Sequence, residues 1–145
     1  MKQNMYKKLI IYTDGGARNN PGPAGIGVVL MDPSAGSGQG EVVAQISEYI
    51  GEATNNQAEY RAVIAALQKA RELGAQELEF YLDSELVVKQ LNREYRVKDR
   101  DLAPLFLQIH NLSLGFKKII FCHIPREENE EADKLVNLAI DKATK

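Results

Sequence analysis

The sequence predicts an α/β domain with a mixed sheet and helices packed on it, and three observations carry that prediction. Apolar, β-branched runs bounded by glycine- and proline-rich turns come first in the chain. Stretches with apolar residues at helical spacing follow and alternate with further strand-like runs. Short connections among the first three strands favour an antiparallel meander, and the βαβ pattern after them favours parallel pairing. The order read from the chain is βββ-α-β-α-α-β-α, with no internal repeat and no linker, so residues 1–145 read as a single domain.

Each element has its own reason. Residues 6–13, YKKLIIYT, form the first strand and run into DGGARNNPGPAG, where glycine, asparagine and proline punctuate the chain. A second strand spans 26–31, DPSAGSGQGE (32–41) is a turn cluster, and a third strand spans 42–50. Thr54-Asn55-Asn56-Gln57 has the form of a capping box. Ala62, Val63, Ala66, Leu67, Ala70 and Leu73 then recur at helical spacing until Gly74. LEFYL (78–82) is a fourth strand, and Ser84 caps a short helix carrying Leu86, Val87 and Leu91. Residues 93–101 are a charged loop, 102–114 a helix in which His110 reads as structural, and 117–124 a fifth strand broken by Pro125. Ala132, Leu135, Val136, Ala139 and Ile140 mark one face of a last helix.

Composition narrows the function classes. Of 145 residues, 44% are hydrophobic and 26% charged, close to the globular average. No apolar run approaches the roughly 18 residues that span a bilayer, and no signal-peptide core is present. A soluble, cytoplasmic protein is expected. One cysteine, Cys122, allows neither an internal disulfide nor a cysteine-built zinc site. The net charge of −2 argues against gripping nucleic acid by bulk electrostatics, unless bound cations supply the missing positive charge.

Four carboxylates stand in unusual places. Asp14 ends the most apolar strand, and Asp83 ends the fourth strand in the same manner. Glu59 lies in the second turn of the capped helix and Asp133 beside the apolar stripe of the last. If the strands of Asp14 and Asp83 are neighbours, their ends meet and the two helices supply two more carboxylates. Such a cluster repels itself unless a hard cation such as Mg²⁺ or Mn²⁺ sits within it. Two such ions can activate water and stabilise the leaving oxygen of a phosphoryl displacement. The plainer reading is that these are ordinary acidic residues, with Asp83 a helix cap. Spacing alone leaves both open.

TDGGARNNPGPAGIG (13–27), TNNQAEYRAVIAAL (54–67), LDSELVVKQL (82–91) and HIPREENEEADKLVN (123–137) together resemble the sequence blocks of type 1 ribonuclease H, in order and in separation. The resemblance covers Tyr6 to about Ile140 and is closest to compact members. It implies the ribonuclease H-like fold: a five-stranded mixed sheet, three antiparallel strands then parallel ones, flanked by helices. It implies an endoribonuclease that cuts the RNA strand of an RNA·DNA hybrid with two Mg²⁺ ions, Mn²⁺ being a substitute, and leaves 5′-phosphate and 3′-hydroxyl ends. Asp14, Glu59, Asp83 and Asp133 would be the catalytic metal ligands, and His123 the family's mobile catalytic histidine. The expected protein is a monomer that needs no protein partner and no membrane.

Reading a hybrid requires contact with 2′-hydroxyls in a shallow minor groove, for which bare backbone and amide side chains suit. Gly15, Gly16, Asn20, Asn55, Asn56 and Gln57 match the family's groove contacts, and Thr54 and Asn129 are further expected substrate residues. Turn and cap chemistry explains several of the same residues equally well. Glu52 stands where relatives often carry an arginine, two before Thr54, which weakens a phosphate pocket there. No tryptophan-rich basic insertion is present. Its counterpart is the stretch 89–101, where Lys89, Arg93, Arg96, Lys98 and Arg100 leave a local net charge of +2; Lys89 is the contact expected for the DNA strand. Two other readings share these residues, a DNA nuclease or transferase on the same fold and a catalytically silent binding module.

Overall fold

The structure, a computed structural model, describes residues 6–34 and 40–145. The expected turn at 32–41 and the polar start of the chain lie partly outside them.

The chain order is β1 (Tyr6–Ala17), β2 (Gly22–Asp32), β3 (Glu41–Ala53), α1 (Asn55–Glu72), β4 (Ala75–Leu82), α2 (Glu85–Leu91), α3 (Ala103–Ser113), β5 (Lys118–His123), a 3-10 turn (Arg126–Glu128) and α4 (Glu130–Ala143). The five strands form one sheet in the order β3-β2-β1-β4-β5. The β1–β2 and β2–β3 pairs are antiparallel, and β1–β4 and β4–β5 are parallel. Both the expected strand number and the expected mixture of directions are present.

The first hairpin is longer than its residues suggest. β1 continues through Asp14-Gly15-Gly16-Ala17, because β2 already begins at Gly22 and pairs with it in register from Ala24 onward. The glycines therefore do not end the strand. What stops at Tyr12, paired with Tyr81, is the pairing of β1 with β4. Asp14 lies just past that point and Asp83 just past the end of β4, so both carboxylates stand where two parallel strands part.

The two faces of the sheet are covered differently. On one face Leu9, Ile11, Ile26, Val28, Leu30, Leu78 and Phe80 pack against Tyr60, Val63 and Leu67 of α1, with Leu102 and Ile109 from the α3 region outside them. Each such buried side chain contributes roughly 1.5–3 kcal/mol. On the other face α4 lies over β1, β2 and β3. It settles on glycines of β2: a Cβ at Gly27 would stand 2.1 Å from the Ala132 carbonyl oxygen. Gly27 faces Asp14 in the β1–β2 register, so the close approach there is what carries the start of α4 towards Asp14.

Candidate active site

Asp14, Glu59 and Asp83 each place one carboxylate oxygen within 4.8 Å of the other two. Three separate local causes bring them together. Parallel pairing aligns the ends of β1 and β4. The capping box, in which Thr54 Oγ1 accepts from Gln57 N and Gln57 Oε1 accepts from Thr54 N, fixes the first turn of α1 and so the placement of Glu59. Gly15 then allows α1 to touch the strand: a Cβ there would lie 2.3 Å from the carbonyl carbon and oxygen of Ala58. Asp133, in the first turn of α4, lines the same cleft of about 610 Å³.

Two hydrogen bonds from one backbone N–H, and no ion pair, meet the charge of Asp14 and Glu59 among the described residues. Gly15 N–H donates to Asp14 Oδ1 at 3.0 Å and to Glu59 Oε1 at 3.2 Å. Among the described residues none of the four carboxylates forms an ion pair. Burial pushes the Asp14 carboxyl up to about 8, with the charges of Asp83 and Asp133 adding to the effect. Burial also raises Glu59 well above the usual carboxylate range, with Asp14 and Asp83 adding to it and Arg126 opposing it. An all-oxygen, anionic donor set that repels itself fits a hard divalent cation.

The other expected residues fall into groups. Gly15, Gly16, Asn55 and Asn56 line the cleft beside the carboxylates. Asn20 Oδ1 accepts from Asn55 N at 2.9 Å, and Asn55 Oδ1 accepts from Ala17 N at 2.8 Å, so these two amides lace the β1–β2 turn to the start of α1. Thr54 and Gln57 are spent on the cap. The cap of α2 is Ser84, which accepts from Val87 N, so Asp83 is left free of that duty. Lys89 lies on the last turn of α2, its Nζ 5.0 Å from the centre of the Tyr95 ring and 3.8 Å from Glu85.

Two further expected residues stand apart from the cleft lining. His123 is exposed at the end of β5, level with Leu82 and one strand away from Asp83, and does not line the cleft. Asn129, expected to meet substrate, is 1% exposed, with its amide turned into the protein. Its placement before α4 buries it under the ends of β1 and β4, so it offers no amide to a groove.

The sequence reading passed over Arg18, Arg126 and Asn137, which line the cleft as well. Arg18 ties the β1–β2 turn to α4 through Asp141 at 2.7 Å and Asn137 at 3.4 Å. Arg126 carried one usable signal: it is the sole basic residue in 125–131, among four glutamates.

Comparison with known proteins agrees with this geometry. Residues 12–139 match a family model described as reverse transcriptase-like. Ribonuclease HI of Halobacterium salinarum is 46% identical over 132 residues, covering 91% of this chain and 64% of that protein. A bifunctional protein of Mycobacterium tuberculosis is 43% identical over 136 residues, covering 94% of this chain but 36% of its own length. The chain thus spans about a third of one curated relative and just under two thirds of the other. LC11-RNase H1, isolated from compost and solved in complex with an RNA/DNA hybrid, superposes with a TM-score of 0.86 at 46% identity, covering 94% of this chain and 99% of that one. With the sheet order, the carboxylate cluster and this similarity along nearly its whole length, the chain belongs to the ribonuclease H family, among its compact type 1 members.

Proposed function

We propose that this chain is an endoribonuclease that hydrolyses the RNA strand of RNA·DNA hybrids and leaves 5′-phosphate and 3′-hydroxyl ends. One observation carries the reading: carboxylates within 4.8 Å of one another, without a cationic side chain paired to them, beside a wall of glycines and asparagine amides. A similar protein, LC11-RNase H1, has been solved with such a hybrid, which supports the substrate.

Asp14, Glu59, Asp83 and Asp133 would hold the divalent cations, two Mg²⁺ ions with Mn²⁺ as a substitute. Bound there, the ions would supply an activated water and neutralise charge on the scissile phosphate. The chain's own groups do the rest. Gly15 and Gly16 leave room for a sugar edge, while the asparagine amide nitrogens of Asn20, Asn55 and Asn56 remain available to a 2′-hydroxyl. Gln57 and Thr54 act by fixing the helix start that presents Asn55 and Asn56. His123, exposed at a strand end, is free to swing towards the cleft and carry a proton. Lys89 and the basic stretch after it would meet the DNA backbone, giving salt-sensitive binding. The unit proposed to act is a single domain, residues 1–145, working as a monomer in the cytoplasm without a protein partner. Among the described residues no helix is long and apolar enough to cross a membrane.

The test is an end-labelled hybrid incubated with Mg²⁺, Mn²⁺ or EDTA, beside DNA duplex, RNA duplex and single-stranded RNA. Internal cuts in the RNA of the hybrid that require metal and leave extendable 3′-hydroxyl ends are expected. Cutting of DNA duplex instead would favour a DNA nuclease. Binding of the hybrid without cleavage under any metal would favour a silent module.

A further inference from the structure

Asn129 is among the most buried polar residues of the molecule, and its hydrogen bonds point at the cluster from behind. Its Nδ2 donates to the Thr13 carbonyl at 2.9 Å and to Asp83 Oδ2 at 3.1 Å. Its own carbonyl accepts from Asp133 N at 3.2 Å and so opens the helix that carries the fourth carboxylate. Its Oδ1, although buried, has no hydrogen-bond partner among the described residues. That asymmetry fixes the amide: turned over, Oδ1 would face a carbonyl and a carboxylate, two acceptors without a donor. Two N–H bonds outweigh the orphaned oxygen.

The place matters as much as the bonds. β1 and β4 stop pairing at Tyr12 and Tyr81, so no ladder bond between these two strands holds the Asp83 side. The amide of Asn129 spans that gap, joining Asp83 to the residue immediately before Asp14. Gly15 N–H does the corresponding work for Asp14 and Glu59. Both donors are neutral, so each orients a carboxylate without cancelling its charge, which a lysine or arginine would do.

We propose that Asn129 is a positioning residue for Asp83: it holds that carboxylate against the β1 main chain, at the spacing a divalent cation needs, before the cation arrives. The proposal rests on the reading of Asp14, Glu59 and Asp83 as a cation site. It gives Asn129 no contact with the hybrid.

The test is a calorimetric titration of the full chain with Mg²⁺ alone, beside hybrid cleavage as a function of Mg²⁺. Asn129→Ala should weaken Mg²⁺ binding by about 10-fold or more, the range known for groups that orient metal ligands. Cleavage by that variant should recover substantially as Mg²⁺ is raised, with KM for the hybrid within about 2-fold of the parent. In an Asp83→Asn background the same substitution should change Mg²⁺ affinity little, because the group it orients is already gone. If Asn129→Ala does not fold, Asn129→Leu, which keeps the volume and removes the donor, takes its place in every arm. Unchanged Mg²⁺ affinity, a loss expressed in KM, or full additivity with Asp83→Asn would each overturn the proposal. A parent chain that binds no Mg²⁺ would overturn the cation-site reading along with it, whereas a parent that binds and a variant that binds equally well removes this inference alone.

Discussion

The four carboxylates are two unlike pairs. Asp14 and Glu59 are 8% and 7% exposed and share one backbone N–H, that of Gly15. Asp83 and Asp133 are half-buried, and each meets a side-chain amide, Asn129 at 3.1 Å and Asn137 at 3.4 Å. The inner pair is held by the packing of α1 on β1; the outer pair sits where a strand end and a helix start meet solvent. Burial raises the inner pair's proton affinity and leaves the metal-free fold strained by repulsion, while exposure gives the outer pair access to substrate. Geometry is therefore set inside at a cost in stability, and reactivity is met outside.

Asp14→Asn gives the largest expected effect. It removes the inner oxygen that faces both neighbours, so hybrid cleavage at saturating Mg²⁺ should fall by about 1,000-fold or more, near 4 kcal/mol in the barrier. The metal-free variant should melt higher than the parent, because a neutral amide is cheaper to bury beside Asp83 and Asp133. Asp133→Asn should also reduce cleavage but raise the melting temperature less. Equal stabilisation by the two would erase the distinction between inner and outer pairs.

Gly15→Ala attacks the packing that defines the inner pair. With its Cβ 2.3 Å from the Ala58 main chain, α1 must move, and a loss of about 2–3 kcal/mol in urea unfolding is expected. Gly16→Ala is the matched control. The nearest atom to its Cβ is Val136 Cγ1 at 3.7 Å, ordinary contact, so stability should change by no more than about 0.5 kcal/mol.

Those two glycines show where the sequence was legible. Strand residues flanking Asp14 and Asp83, helical periodicity around Glu59 and Asp133, and the Thr54 cap all follow from local pattern, and each element formed. What local pattern lacks is a record of which backbone another element touches. Gly15 and Gly16 are neighbours of the same type, yet only one stands against α1. Gly27 reads as an ordinary strand glycine until α4 lies on it. Asn129, in an acidic run, reads as a substrate contact; its burial depends on β1 and β4 parting above it. Arg126 reaches the cleft for the same tertiary reason.

The inner pair also predicts a pH dependence. Asp14 has its carboxyl raised from 3.8 to about 8, so its neutral form is favoured in the folded state. The stability this gives is fully present below about pH 4 and is lost as pH rises through about 8. Metal-free protein should therefore melt lower at pH 8 than at pH 5, by roughly 10 °C from this site. Asp14→Asn should flatten the profile, and so should saturating Mg²⁺, which favours the ionised carboxylates. A profile equally steep in parent and variant would place the titration elsewhere.

Gln57→Ala is the gentlest probe, and it separates a cap from a substrate contact. Gln57 Oε1 accepts from Thr54 N at 2.8 Å, closing the turn one step before Glu59. Removing it frees that N–H and loosens the start of α1, at a cost of about 1 kcal/mol. The inner pair should feel this as a slight weakening of Mg²⁺ affinity, within about 3-fold, since packing at Gly15 still holds Glu59. KM for the hybrid should change only slightly, because the side chain itself is committed to the helix end and packing at Gly15 still holds the start of α1 that presents Asn55 and Asn56. A rise in KM with stability intact would mean that the amide leaves the cap to meet the substrate, and the start of α1 would then belong to the groove as well as to the scaffold.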